Sequence, residues 1–232
     1  MSWLSVKYVF SFAGGRREEF VLRFDAGSFD LVAPPMAQPP EWTRLTAHRC
    51  GNCPLDAHTH SHCPLALALA EPVQRLGDVV SYEPVRVEVI TEERRMVQDT
   101  TAQDGVSALL GLINATSGCP VTAFFKPMAR YHLPFANENE TVYRAATMYL
   151  MGEYFRACEK SSTPDLALQG LLEIYRGMEV VNRGIVARLR AARTEDSTLN
   201  AIVLLDLYAK QLPYAVETSL GELKYLFHAY LR

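Results

Sequence analysis

The run Val6-Lys7-Tyr8-Val9-Phe10-Ser11-Phe12, then Ala13-Gly14-Gly15-Arg16-Arg17-Glu18, then Phe20-Val21-Leu22-Arg23-Phe24-Asp25 decides the fold class of this chain. Val6, Tyr8, Phe10 and Phe12 alternate with Lys7, Val9 and Ser11, the period of two that gives a strand one buried face. Phe20, Leu22 and Phe24 repeat the pattern after a glycine pair of the kind that closes hairpins. Val85, Val87 and Val89 alternate again, and Met96-Val97-Gln98 reads as a partner strand after Glu92-Glu93-Arg94-Arg95. Links this short favour antiparallel neighbours. The expected architecture is α+β, with a small antiparallel sheet of three or four strands, short helices and a Cys-rich metal loop. An all-helical C-terminal part of about four helices follows.

Working outward, Ala33-Pro34-Pro35-Met36-Ala37-Gln38-Pro39-Pro40 cannot be a helix or a central strand, because four of its residues lack the backbone donor. It reads as a stiff connector; a polyproline ligand is the other reading. Short helices are expected through Leu65–Ala70 and from about Val106 to Ala115, the second opened by Asp104 as its cap. From Asn139 onward helical spacing dominates. The expected helices run from Thr141 to Cys158, Asp165 to Arg193, Ser197 to Gln211 and Tyr214 to Leu231, with Pro164 in a first-turn position. The expected division is therefore a sheet-containing metal-binding domain over 1–135 and a helical domain over 136–232, a bundle or an interaction surface.

Three of the five cysteines and four of the six histidines fall between His48 and Cys63. Cys50 and Cys53 form a Cys-x-x-Cys step, which lets two thiolates reach one ion from a single turn. Cys53-Pro54-Leu55, Cys63-Pro64-Leu65 and Cys119-Pro120-Val121 share a second feature. Proline favours the first helical position, so each of these thiols is expected where a helix N-cap would be. The amides there lower a thiol's pKa. The predicted metal ligands are Cys50, Cys53, Cys63 and Cys119, with Gly118 easing the approach of the last. One of His48, His58 and His60 could replace a cysteine, whereas His62 abuts a ligand and is less suited. Cys158 reads as a buried core thiol, and His132 and His228 as packing or surface residues.

Four thiolates suit a structural zinc, with an iron–sulfur cluster as the alternative. The spacing of two, nine and fifty-five residues matches neither compact ferredoxins nor zinc ribbons. Five cysteines and a cytoplasmic setting argue against a disulfide framework, and Pro54 after the Cys-x-x-Cys argues against covalent haem.

No Gly-x-Gly-x-x-Gly, Walker, Gly-x-Ser-x-Gly or His-Glu-x-x-His motif is present, and the deaminase and di-iron patterns fail. Lys126, Arg130 and His132 read as a solvated helix edge or an anion pocket behind Cys119. Glu153 and Asp206 read as buried carboxylates, each paired with an arginine or tyrosine. Arg176, Arg183, Arg188, Arg190 and Arg193 complement a helix dipole. A net charge of −3 supplies no bulk drive toward nucleic acid. No apolar run is long enough for a membrane span, and the first residues lack a signal-peptide pattern. The expectation is a cytoplasmic metal-binding protein. Its metal pins an irregular loop, and its helices serve a protein partner or a homodimer. An enzyme with a three-ligand catalytic zinc is the remaining reading.

Overall fold

In the computed structural model, residues 2–192 and 220–232 are described. Strands β1 (Trp3–Phe12) and β2 (Arg17–Asp25) form the expected hairpin, pairing antiparallel with Tyr8 opposite Phe20. Strands β3 (Pro84–Ile90) and β4 (Arg95–Thr101) form a second hairpin, and β3 joins the free side of β1. The result is one four-stranded antiparallel sheet in the order β2-β1-β3-β4. The alternation settles which side is covered: Val6, Tyr8, Phe10, Val85, Val87 and Val89 are all buried.

Helices α1 (Pro64–Leu76) and α2 (Ala102–Thr116) supply much of the rest of the main core. Helix α2 lies so close to the sheet that a Cβ built on Gly105 would stand 2.8 Å from Val87 and 3.0 Å from Phe10. A side chain there would force the layers apart. Asp104 is not the cap of α2. Thr101 holds that position, its hydroxyl accepting from the Asp104 N–H at 3.3 Å. Helix α1 runs six residues beyond the expected end, through Pro72, and buries Val73 and Leu76. The proline-rich stretch is irregular and ends in a 3-10 turn, Glu41–Thr43.

After a 3-10 turn (Ala123–Phe125) and the one-turn α3 (Lys126–Arg130) come two long helices, α4 (Glu138–Lys160) and α5 (Gln169–Ala191). Helix α5 starts later than Pro164 suggests. The Asp165 carboxylate accepts the N–H groups of Ala167 and Gly170 at 3.0 and 2.9 Å, folding residues 165–168 into a turn instead. The first half of α5 packs on α4 through Leu171, Tyr175 and Met178. Its second half contributes Val181, Ile185 and Leu189 to the same buried cluster as the sheet.

The helix expected over 197–211 lies outside the described residues. Of the one expected to reach Leu231, residues 220–222 are helical and a 3-10 turn (Leu223–Phe227) follows. Among the described residues no helix is long and apolar enough to cross a membrane.

Candidate metal centre

Cys50, Cys53, Cys63 and Cys119, separated by up to sixty-nine positions, line one small, largely enclosed cavity of about 10 Å³. Leu45, Leu55, Val181 and Ile185 contribute to its apolar wall, and Arg188 is the one charged residue lining it among the described residues. The convergence follows from local anchors on each segment.

The Cys50–Cys53 turn is closed by the Cys53 N–H donating to the Cys50 carbonyl at 3.1 Å. Arg49 reaches over it to the carbonyls of Cys53 and Leu55 at 3.0 and 2.6 Å. Asn52 fastens the turn to α5 by donating to the Gly177 carbonyl at 2.9 Å. Cys63 is the N-cap of α1, as Cys-Pro predicts; its side chain makes no capping hydrogen bond, but the nearby Ala66 and Leu65 amides favour its ionised form. Its own N–H donates to the Thr43 carbonyl at 2.8 Å. Cys119 follows Gly118, whose backbone is left-handed at φ +85°, and its carbonyl accepts the Thr122 and Ala123 N–H groups. It therefore heads a tight turn. Cys53 departs from the expected pattern, since residues after Pro54 are irregular and no helix amides face its sulfur.

Arg188 is the residue that sequence reasoning missed. Grouped there with a basic helix end, it is only 1% exposed. Nη1 donates to the Trp42 and Arg44 carbonyls at 2.8 and 2.5 Å, and Nη2 donates to Leu45 at 3.2 Å. Its Nε is buried without an acceptor. No carboxylate pairs with it among the described residues. Its charge acts instead on the thiols of Cys50 and Cys63, favouring their ionised forms. Burial opposes it and wins: the Cys50 thiol is pushed up to about 11, and Cys63 is also raised.

The signal for this helix face was present in the sequence, in Gly177, Gly184 and Arg188 at intervals of seven and four. These positions stack along one side of a helix and leave two gaps beside one cation. A Cβ on Gly184 would stand 2.6 Å from the Cys50 sulfur, and one on Gly177 would stand 3.6 Å from Asn52.

The cysteine metal cluster expected from Cys50, Cys53, Cys63 and Cys119 is not seen as a formed centre. Among the described residues, no group of three or more His, Cys, Asp or Glu side chains stands in a metal-holding arrangement. The hydrogen-bonded anchors of each segment, together with apolar packing, set the positions of the four sulfurs around the cavity. The donor set still fits a soft ion: four sulfurs, an apolar wall and a cation with no carboxylate partner among the described residues suit a site whose filled state is anionic. The histidines are not brought in. His48, His58 and His60 are exposed, and His60 and His62 contact the Thr59 and Ser61 hydroxyls, both at 2.9 Å.

Other expectations divide. Cys158 is exposed rather than buried, because the inward stripe of α4 runs through Val142, Ala146 and Glu153 and leaves position 158 outside it. Glu153 is buried and paired as expected, with Arg156 at 2.5 Å, and it also accepts the Asp165 N–H at 2.8 Å. Asp206 lies outside the described residues. Lys126, Arg130 and His132 do not form one pocket. Lys126 pairs with Asp30 at 2.5 Å, Arg130 lies over the Phe29 and Tyr131 rings, and His132 is half-buried against the Tyr8 hydroxyl.

No curated protein and no solved structure matches the chain. A family model described as "Domain of unknown function (DUF6901)" matches residues 6–228, nearly the whole length, and the chain belongs to that family.

Proposed function

We propose that the protein binds one metal ion, zinc, through Cys50, Cys53, Cys63 and Cys119, and that the ion pins the irregular 44–63 segment onto α1 and α5. The carrying observation is that four sulfurs line one small apolar cavity beside a buried guanidinium that has no carboxylate partner among the described residues. A four-thiolate zinc site carries two negative charges. Arg188 would offset part of that charge and find in it the acceptor its Nε lacks. The site is closed, as structural zinc sites are.

Cavity size weighs on the rival iron–sulfur reading. About 10 Å³ is room for a single atom, roughly one solvent probe sphere, and a multi-iron cluster would have to displace the Leu45, Leu55 and Ile185 wall. A bound structural zinc would supply on the order of 10–16 kcal/mol to a segment with little apolar area of its own. The reading assigns no catalysis to the site. The helical part serves as a dimer or partner surface, which agrees with the exposure of Tyr143, Met151, Tyr154 and Phe155 on α4.

Elemental analysis of protein purified without added metal, read together with its visible spectrum, tests the proposal. One zinc per chain in a colourless preparation, lost in Cys119→Ala, is the expected result. Iron with a brown colour that bleaches on reduction would replace zinc by the cluster reading. Metal-free, soluble, fully folded protein that takes up no zinc would overturn both.

A further inference from the structure

A larger cavity of about 430 Å³, with no cysteine in its wall, opens between α2, α3, the 131–136 loop and the facing parts of α4 and α5. Its body is apolar, formed by Leu112, Ala115, Phe125, Met128, Leu133 and Met178. Volumes of this size, apolar with a few convergent polar groups, are where proteins hold small molecules.

Among the polar side chains of the wall are Arg144, His132 and Tyr175, close enough that the charge of Arg144 acts on both others. Arg144 donates through Nη2 to the carbonyls of Met128 and Tyr131 at 2.6 and 3.1 Å. Its Nε and Nη1 have no acceptor among the described residues. No carboxylate forms an ion pair with it among the described residues. Glu140 is the acid whose field reaches it, but that carboxylate is held by the Asn137 N–H at 2.8 Å. Asp104, also in the wall, accepts the Thr101 and Thr100 hydroxyls at 2.7 and 3.4 Å.

A half-buried guanidinium therefore lines a mostly apolar space with donors to spare and, among the described residues, no ion-pair partner. Tyr175 keeps its proton, because burial holds its pKa far above the ordinary range, and it can only help an anion by donating. The His132 ring, held neutral by burial, uses Nε2 on Tyr8 and leaves its second nitrogen for another partner.

We propose that this cavity binds a small organic monocarboxylate, its carboxylate held by Arg144 and Tyr175 and its hydrocarbon or aromatic body laid along Leu112, Ala115, Met128 and Met178. One guanidinium balances one negative charge, so a doubly charged phosphate would leave an unpaired charge in apolar surroundings. An alcohol or amine of the same shape would leave the guanidinium bare or meet it with like charge. The site stands independently of the cysteine cavity.

Titration calorimetry on the full chain with hexanoate, decanoate and 2-naphthoate, against decanol and decylamine, tests this. At least one acid binds at one per chain, at least tenfold tighter than decanol, and decylamine does not bind. Arg144→Gln weakens that acid at least tenfold. Because Arg144 also ties α3 to α4, a second variant is needed: Ala108→Phe fills the cavity, leaves those hydrogen bonds intact, and abolishes binding with the circular dichroism spectrum unchanged. Failure of all three acids, equal binding of decanol, or full binding by folded Ala108→Phe would overturn the assignment.

Discussion

Gly184 of α5 and Cys50 of the cysteine turn are in direct contact, with the Cys50 sulfur occupying the space a Cβ on residue 184 would need, at 2.6 Å. The turn is thus seated on bare helix backbone. Gly184→Ala should push the sulfur out of the cavity and cost about 1–3 kcal/mol of stability, the usual range for overpacking. Urea unfolding measures the cost. Under the zinc proposal the same variant should also retain less than one metal per chain. A Gly184→Ala protein as stable and as metal-loaded as the parent would show that the turn does not rest there.

Arg188 ties the same turn region to α5 from the other side. Replacing it with Met preserves length and apolarity but strands the Trp42, Arg44 and Leu45 carbonyls that its guanidinium satisfies. Each buried unsatisfied group costs about 1–3 kcal/mol, so Arg188→Met should lose at least about 3 kcal/mol. Arg188→Lys keeps the charge but cannot span three acceptors with one ammonium, and should recover only part of the loss. Chemical denaturation of the two variants at pH 7 reads the difference.

The parts legible in the sequence are those where one local pattern had no competitor. Alternation at Val6–Phe12 and Val85–Val89 fixed the faces of β1 and β3, and Cys63-Pro64 placed a thiol at a helix start. Identical local patterns failed where a side chain outside the pattern intervened. Pro164 resembles a first-turn proline, yet the Asp165 carboxylate takes the amides that would have begun the helix. Cys53-Pro54 resembles Cys63-Pro64, yet Arg49 binds the Cys53 and Leu55 carbonyls and holds that stretch irregular. Burial of Arg188 left only the indirect trace of its spacing from Gly177 and Gly184, because its partners are backbone carbonyls more than 140 positions away.

Helix α4 begins with a reciprocal cap: the Asn137 side chain accepts the Glu140 N–H at 2.9 Å, and the Glu140 carboxylate accepts the Asn137 N–H at 2.8 Å. Asn137→Ala should destabilise by about 1 kcal/mol, with Asn137→Ser recovering most of it. Thermal unfolding followed by circular dichroism is sensitive enough, and no change in midpoint would mean that the start of α4 frays in solution.

His132 gives the molecule a defined response to acid. Burial first, and the nearby Arg144 charge second, push its pKa down to about 3 from an ordinary 6.5. The groups around it, Tyr8 and Tyr175, stay neutral, since burial raises their pKa values. Between the two His132 values the unfolded chain holds a proton that the folded chain refuses, so stability is full above about pH 6.5 and falls as the pH drops toward 3. One such proton corresponds to roughly 1.4 kcal/mol per pH unit inside that window. His132→Gln retains a hydrogen-bonding side chain for the Tyr8 hydroxyl and has nothing to titrate. Its urea midpoint should therefore change less between pH 6.5 and 4.5 than that of the parent. Parallel pH slopes for the two proteins would assign the acid sensitivity elsewhere.

Under the zinc proposal, removal of the ion should act locally before it acts globally. The sheet, α1 and α2 share a large apolar cluster, including Phe10, Leu69, Val87 and Leu109, that does not depend on an ion. The 44–63 segment has far less to hold it. Much of its surface is exposed, and its anchors are a short list: Asn52 on Gly177, Arg188 on three carbonyls, and the Cys63 N–H on Thr43. Chelation should therefore raise amide exchange across residues 44–63 and 117–122 while β1 and β3 stay protected, because local opening is governed by local contacts. Protease sensitivity should appear first at the exposed 56–61 stretch. Exchange that rises uniformly through β1 and β3 would mean that the ion holds the whole fold, and exchange unchanged by chelation would mean that the side-chain anchors suffice alone.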